Sequence, residues 1–486
     1  MSARLCFLLV NQPEASARPR IAIAGTSSFI GAAVCRALVP HFEVAVLTRS
    51  VARAMTGGEE GIEVRPCDHF SRRELETALA GVDYAIYLVH NRDPSARLDQ
   101  AQSQDMDLLV ADNFAWAAAR AGVRQILCRA PRVAAPQRST ARNAREMEEV
   151  LSSHGVPVTV LRTGLVLGPG GELAKLLASL VRRLPVIPLP ELAETPLRPI
   201  QLEGFLAAVE YCVGNPTTFG QAFDLFGPES ITLRWMLEET ASRLGRPVRF
   251  LRWPAIPRSL FATLLNILRP SLHPDFITYL LDMFSGDTPG LDNPVADRVA
   301  RDWKPLRETL GASVQEAQQG LAVRPPQRVL DDEVIHQLGR VRSIQRLRLP
   351  EGRNAEWLAD HYFRWLGTLM GLFVKTERAG DGSWSVRQRP GGLKLLLLTF
   401  QPDHSTPDRR LYFITGGALA RFLGGRTARL EFRDLLGGRY SMFAIHDFDP
   451  SLPWVFYRFT QAVIHGLVMK GFQGHMEQLT EGGPTL

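Results

Sequence analysis

One stretch, residues 20–49 with the sequence RIAIAGTSSFIGAAVCRALVPHFEVAVLTR, constrains this chain more than any other. The apolar run at 21–24 predicts a buried strand, Gly25 opens a tight turn, and residues 29–39 have the composition of a helix that Pro40 and His41 end. A second apolar run follows at 44–47, so the unit closes as strand, helix and parallel strand, the crossover from which parallel sheets are built. The amino end of such a helix presents unpaired N–H groups and a partial positive charge, which suit a diphosphate wherever no side chain blocks the backbone. Gly25 and Gly31 supply that clearance.

A dinucleotide fingerprint sets three small residues at fixed spacing, and here Ser28 occupies the middle position. An ordinary βα turn with incidental glycines is the bland alternative; the order of strand, turn, helix and strand within about 30 residues favours nucleotide binding. The end of the second strand selects the nucleotide. An acidic residue there would bond a ribose 2′-hydroxyl, whereas the Thr48, Arg49, Ser50 and Arg53 found here suit a 2′-phosphate, so NADP is favoured over NAD. The competing reading makes Arg49 and Arg53 solvated surface charges.

At 486 residues the chain is too long for one ordinary core, so two domains are expected. A formal charge of +6 comes without a dense basic block, and nucleic acid is not expected as a partner. Cys6, Cys35, Cys67, Cys128 and Cys212 are scattered and form no metal or redox spacing, which points to buried thiols in a reducing compartment. The apolar run at 5–10 is too short and too soon interrupted for a secretory signal, so residues 1–18 read as a loose extension. No uncharged apolar segment reaches the roughly 18 residues that a bilayer-crossing helix needs, and a cytoplasmic location follows by default.

Along the chain, strands are expected at 61–67, 84–89, 125–128 and 157–161, alternating with helices at 72–79, 104–121 and 142–154. That rhythm predicts an α/β fold, a doubly wound parallel Rossmann sheet whose ligand lies at the carboxyl ends of its strands, where Asp68, His90 and Asn91 fall. Further elements of the same domain are expected at 198–200, 206–213, 223–226 and 233–244. Residues 254–284 are an apolar, Pro-broken helical stretch; packing is the preferred reading and contact with a membrane surface, through Arg252, Arg258 and Arg269, the alternative. After a linker at 321–340, strand candidates at 342–349, 384–388, 393–400, 411–414, 428–432 and 441–447 surround helices at 355–370 and 454–475. This predicts a smaller antiparallel α+β domain over 341–480, following a first domain over 19–320. Its sheet would grip the last helix through Phe456, Phe459, Val463 and Leu467, with room for a pocket between them.

Four segments point the same way: GTSSFIG at 25–31, GVDYAIYLVH at 81–90, NFAWAAARAGVRQIL at 113–127 and GVPVTVLRTGLVLGPGG at 155–171. Together they resemble the atypical extended short-chain dehydrogenase/reductases of the NmrA-like and YbjT-like group, over about residues 19–320. The segments at 342–366 and 446–476 resemble the uncharacterised, helix-grip-like domain that follows this module in YbjT-like bacterial proteins. The resemblance implies that Gly25, Ser28, Phe29, Ile30 and Gly31 cradle a pyrophosphate. It implies further that Arg49 faces the adenosine ribose, Asp68 the adenine, Leu88 and Val89 the ribose region, and Thr163 and Gly164 the nicotinamide side.

Reduction in that superfamily uses a Tyr and a Lys four residues apart on one helix, the Lys easing proton transfer from the phenol. Neither is present: the relevant helix reads RSTARNAREMEEVL over 138–151, and Ser139, Thr140, Arg142, Arg145 and Glu146 are its polar candidates. His446 and Asp447 are adjacent on a strand and point apart, and His465 and His475 do not share a metal-binding face. The catalytic residues are therefore unassigned and no metal is expected. Two readings stay open: an oxidoreductase with non-standard catalytic residues acting on an unidentified small molecule, or a non-catalytic NAD(P)-binding sensor acting through its C-terminal domain.

Overall fold

The computed structural model describes residues 18–49, 60–90, 98–253, 256–268, 273–284, 286, 293–301, 303–322, 340–421 and 428–481. The expected extension at 1–18 and linker at 321–340 fall almost wholly outside these residues, as do Ser50, Arg53 and Asn91.

The first elements are β1 (Arg20–Ala24), α1 (Phe29–Leu38), β2 (Glu43–Thr48), β3 (Ile62–Pro66), α2 (Arg72–Ala78), β4 (Tyr84–Tyr87), a short β5 (Leu98–Gln100), α3 (Ser103–Ala121), β6 (Gln125–Pro131), α4 (Ser139–Ser152) and β7 (Val158–Thr163). With the later β11 (Ala222–Leu225) they form a seven-stranded sheet in the order β11-β7-β6-β4-β1-β2-β3, parallel throughout. The order reverses at β1, whose neighbours are β2 and β4, and the carboxyl ends of β1 and β4 are where a doubly wound sheet receives its ligand. Alternation along β1 sets the layers. Ile21 and Ile23 join the apolar cluster that includes Val34 and Leu38 of α1, while Ala22 and Ala24 face the cluster containing α2, α3 and α4.

Beyond β7 come β8 (Val166–Leu167), α5 (Glu172–Arg183), β9 (Val186–Leu189), β10 (Ile200–Gln201), α6 (Leu202–Cys212), α7 (Leu233–Arg243), β12 (Arg249–Arg252), α8 (Arg258–Leu268), α9 (Pro274–Met283), α10 (Ala296–Ala300) and α11 (Leu306–Ala322). Helices α5, α7, α8, α9 and α11 bury their apolar faces together, so the packing reading of residues 254–284 holds for those described.

The remaining chain forms β13 (Val341–Arg348), α12 (Ala355–Leu369), β14 (Val374–Arg378), β15 (Trp384–Gln388), β16 (Lys394–Phe400), β17 (Arg409–Gly416), β18 (Arg429–Leu435), β19 (Tyr440–Phe448), α13 (Trp454–Phe459) and α14 (Gln461–Glu481). Its sheet runs β14-β15-β16-β17-β18-β19-β13-β5; the last pair is parallel, so β5 of the first sequence half completes the sheet of the second. One face holds α12 and α14. Tyr362, Phe363, Phe432, Phe443 and Phe472 interlock there at ring-centroid distances of 4.9–6.3 Å, and the expected pocket between sheet and helix is filled by these rings. The expected gripping residues are corrected: Phe456, Phe459, Val463 and Leu467 are 64%, 70%, 50% and 65% exposed, and the buried positions are Tyr457, Ala462, Met469, Phe472 and Met476. Thr460 breaks the predicted single helix into α13 and α14, which rotates the buried stripe.

The opposite face of this sheet lies on α2, α3 and α4, so α3 is enclosed by two sheets and buried nearly all round, Asp105, Asp112 and Asn113 included. Every second residue of β13 (Arg342, Ile344, Arg346), β18 (Arg429, Glu431, Arg433, Leu435) and β19 (Met442, Ala444, His446) points at that layer. Arg433 donates to Asp112 Oδ2 at 2.7 Å and Asn113 Oδ1 at 2.5 Å and pairs with Glu431, while Arg72 and His154 reach the same Asp112 at 2.7 and 2.8 Å. Arg346 bridges Asp105 at 2.9 Å and Glu146 at 3.0 Å. Burial alone would raise the carboxyls of Asp112 and Glu431; their arginine neighbours hold both well below the usual range.

Arg433 is 3% exposed, and removing one partner of a buried charge network costs about 3–5 kcal/mol. Arg433→Met is therefore expected to lower the urea-unfolding free energy by about that amount, and a loss below about 1 kcal/mol contradicts the network. A pH effect follows from His69 and His446, both buried. Burial, aided by Arg49 at His69 and by Arg429 and Arg342 at His446, pushes the first down to about 4 and the second well below its ordinary value. Each stays neutral when folded and takes up a proton on unfolding, so stability falls as pH drops below about 6.5, by up to roughly 1.4 kcal/mol per unit for each, the share of His69 ending near pH 4. Asp434, lifted to about 7 by burial, acts with the opposite sign. The difference between wild type and His446→Asn isolates one share: urea unfolding at several pH values should show a shallower decline in the variant, and parallel profiles contradict the assignment.

Candidate functional site

The turn after β1 is built by backbone contact. Gly25 has φ +96°, and a Cβ on it would lie 2.4 Å from the Leu88 carbonyl carbon and oxygen; a Cβ on Gly31 would lie 2.3 Å from the Gly25 oxygen. Only glycine lets the end of β1 touch the main chain after β4 and lets the first turn of α1 lie against the end of β1. Ser28 is the N-cap of α1: its Oγ accepts from the Gly31 N–H at 3.0 Å and donates to the Gly25 carbonyl at 3.1 Å. Ser27 and Ser28 are exposed, and the amides of Phe29 and Ile30 lie in the first turn, where helix geometry gives an N–H no intrahelical acceptor. A glycine-lined helix amino end open to solvent fits an anionic diphosphate, which supplies the acceptors those amides need.

The other expected residues converge on the same edge of the sheet. Arg49 follows β2 and is exposed, Asp68 follows β3, Leu88 and Val89 follow β4 with their side chains buried, and Thr163 ends β7, fully buried. Asp68 accepts from the Phe70 N–H at 3.1 Å and meets Arg342 of β13 at 3.5 Å. Burial would raise its carboxyl, but Arg342, the Phe70 amide, Arg49 and Arg429 hold it well below the usual carboxylate range. The adenine end of the expected site thus touches the second sheet, which no sequence motif announced.

At the other end, beyond β6 and β7, Arg129 ties the strand ends to α9. Its Nε donates to Thr163 Oγ1 at 2.8 Å, and its Nη2 donates to Tyr279 Oη at 2.8 Å and to the Gly164 carbonyl at 3.2 Å. Tyr279 comes from α9, 115 residues from Gly164 in sequence, with its hydroxyl 3.4 Å from that carbonyl. Three residues further on, Asp282 accepts from the Thr140 N–H at 3.2 Å and Oγ1 at 2.5 Å and pairs with Arg258. Of the candidates on α4, Thr140 and Ser139 are bonded to Asp282, Arg145 to the Pro136 carbonyl and Glu146 to Arg346. Cys128 nearby is a buried thiol that burial pushes far up, unsuited to nucleophilic work. Arg129 lies just past the strand expected at 125–128, and neither it nor Tyr279 had a local signal.

Residues 25–174 match a family described as NAD(P)H-binding. The chain is 26% identical over 137 residues to the auxiliary protein GraX of Staphylococcus aureus, covering 27% of this chain and 42% of that relative's length. It is 29% identical over 239 residues to the (4-alkanoyl-5-oxo-2,5-dihydrofuran-3-yl)methyl phosphate reductase of Streptomyces griseus, covering 47% of this chain and 76% of the relative. Among solved structures, the Citrobacter sp. triphenylmethane reductase complexed with NADP(H) is similar, with a TM-score of 0.48, 16% identity and coverage of 60% of this chain and 99% of the other. An NADPH-dependent quinone oxidoreductase of Escherichia coli has a TM-score of 0.46 at 22% identity, covering 61% and 98%. No helix among the described residues is long and apolar enough to cross a membrane. Residues 25–174 thus match the NAD(P)H-binding family, within a doubly wound α/β module.

Proposed function

We propose that the chain is an NADP-dependent reductase of a small carbonyl compound, with its reacting centre at the carboxyl ends of β6 and β7. One observation carries the reading: the glycine-lined amino end of α1 and the Arg129–Tyr279–Thr163 group lie on the same edge of one sheet, on opposite sides of the strand-order reversal at β1 and β4. A dinucleotide seated at such a reversal has its two halves over the two halves of the sheet. The amides of Phe29 and Ile30, with Gly25, Ser28 and Gly31, would hold the diphosphate. Asp68 and Arg49 would meet the adenosine half, Leu88 and Val89 would border the ribose, and Thr163 and Gly164 would border the nicotinamide. When bound, the reduced nicotinamide supplies a hydride to an electrophilic carbon. The positive charge of Arg49, with Arg342 and Arg429 close by, supports the 2′-phosphorylated form. The Streptomyces relative, named as a reductase of an oxo-dihydrofuran, supports a carbonyl-bearing acceptor.

A nucleotide sensor is the second reading, and the contact of Arg342 with Asp68 favours it, because the adenine end then touches the second sheet directly. Oxidation of NADPH followed at saturating protein against aldehydes, ketones, quinones and conjugated lactones separates the two. Turnover supports the reductase; tight binding without turnover across the panel supports the sensor. Reversing the charge with Arg49→Glu should weaken NADPH binding at least about tenfold while changing NADH binding less than about threefold, one charge-assisted contact being lost. Calorimetry checks this, and an equal loss for both nucleotides contradicts the role of Arg49.

A further inference from the structure

Resting on the reductase reading above, we propose that Tyr279 is the proton donor of the reductive step and that Arg129 is the residue that positions it and stabilises the charge it leaves. The polar residues of α4 that would be sought first for this role are tied elsewhere, Ser139 and Thr140 to Asp282 and Glu146 to Arg346. The phenol of Tyr279 stands instead over the end of β7, its oxygen 2.8 Å from Arg129 Nη2 and 3.4 Å from the Gly164 carbonyl. Its placement is fixed from both sides. Tyr279 and Asp282 lie three residues apart on α9 and so share a face. Asp282, 2% exposed, pins that face to the amino end of α4 through Thr140 and to α8 through Arg258. Arg129 is fixed in turn by Thr163 Oγ1 at 2.8 Å, whose side chain is fully buried.

The chemistry balances with the reductant named as a class. As two electrons arrive with a hydride from a reduced nicotinamide at the acceptor's carbonyl carbon, the C=O π bond breaks. The O–H bond of Tyr279 then breaks and its proton forms a new O–H bond on the acceptor oxygen. The phenolate left behind lies beside the Arg129 guanidinium, and solvent reprotonates it, since the ring is only partly buried. A Tyr and an Arg from distant parts of the chain thus share the work that a Tyr and a Lys on one helix would otherwise do. The long contact to the Gly164 carbonyl is one that an acceptor oxygen can replace.

Tyr279→Phe removes one oxygen atom. With the carbonyl acceptor that the wild-type chain reduces fastest, kcat should fall about 100-fold or more, the scale of general-acid catalysis, while the Kd for NADPH, read from quenching of intrinsic fluorescence, stays within about threefold. Arg129→Met should lose turnover comparably, and Arg129→Lys should recover about a tenth of wild-type kcat, because the lysine restores the charge without the fork. Thermal unfolding of all three variants within a few degrees of wild type shows that the loss is local. The assignment is overturned if Tyr279→Phe keeps kcat within about threefold of wild type, or if it loses NADPH binding in step with turnover, which would make Tyr279 a binding residue. If the wild-type chain binds NADPH but reduces no acceptor, it is the reductase reading that fails, and the proton-donor role falls with it.

Discussion

The site depends on a place where two stretches of main chain touch with no side chain between them. Gly25 lies so close to the Leu88 carbonyl, and Gly31 so close to Gly25, that a single methyl group at either would collide with backbone at 2.4 Å or less. This contact draws the ends of β1 and β4 together and sets the first turn of α1 directly above them. Orphan amides, a partial positive charge and absence of bulk then coincide at one point, which is what a diphosphate requires. Ser28 does not disturb the arrangement, because its hydroxyl is turned inward to cap the helix.

The second sheet docks through alternating cations and carboxylates and not through an apolar face alone. Arg342, Arg346 and Arg433 meet Asp68, Asp105, Glu146 and Asp112 from the first module. Taking such charges out of water is costly, and their mutual attraction repays it only in a fixed geometry. The interface therefore specifies one relative placement of the two sheets, and the strand β5, lent by the first sequence half to the second sheet, reinforces it. Because Asp68 belongs both to this layer and to the expected adenine end of the cleft, whatever binds there meets a surface shaped by both sequence halves.

Much of the nucleotide-binding half was legible in the sequence. Buried parallel strands are continuous apolar runs, and glycines or prolines end each element, so β1 to β4, β6, β7 and the helices between them lie where periodicity places them, within a few residues. The interface was not legible. Arg342-x-Ile344-x-Arg346 and Arg429-x-Glu431-x-Arg433 have the polar alternation of a strand facing water, and the pattern is identical when the face meets carboxylates instead. The last helix misled for a related reason. Its conspicuous Phe456, Phe459 and Leu467 face outward, while the buried stripe is made of Ala462, Met469, Phe472 and Met476. Tyr279 carried no signal, since its partners Arg129 and Gly164 are brought to it only by the tertiary packing of α9.

A crystal structure of the chain grown with saturating NADP(H) tests the central claim most directly. The account predicts the diphosphate within hydrogen-bonding distance of the Phe29 and Ile30 amides, the adenine on the Asp68 side and the nicotinamide at the ends of β6 and β7, facing Tyr279. A nucleotide bound elsewhere, or none at saturation, would contradict it.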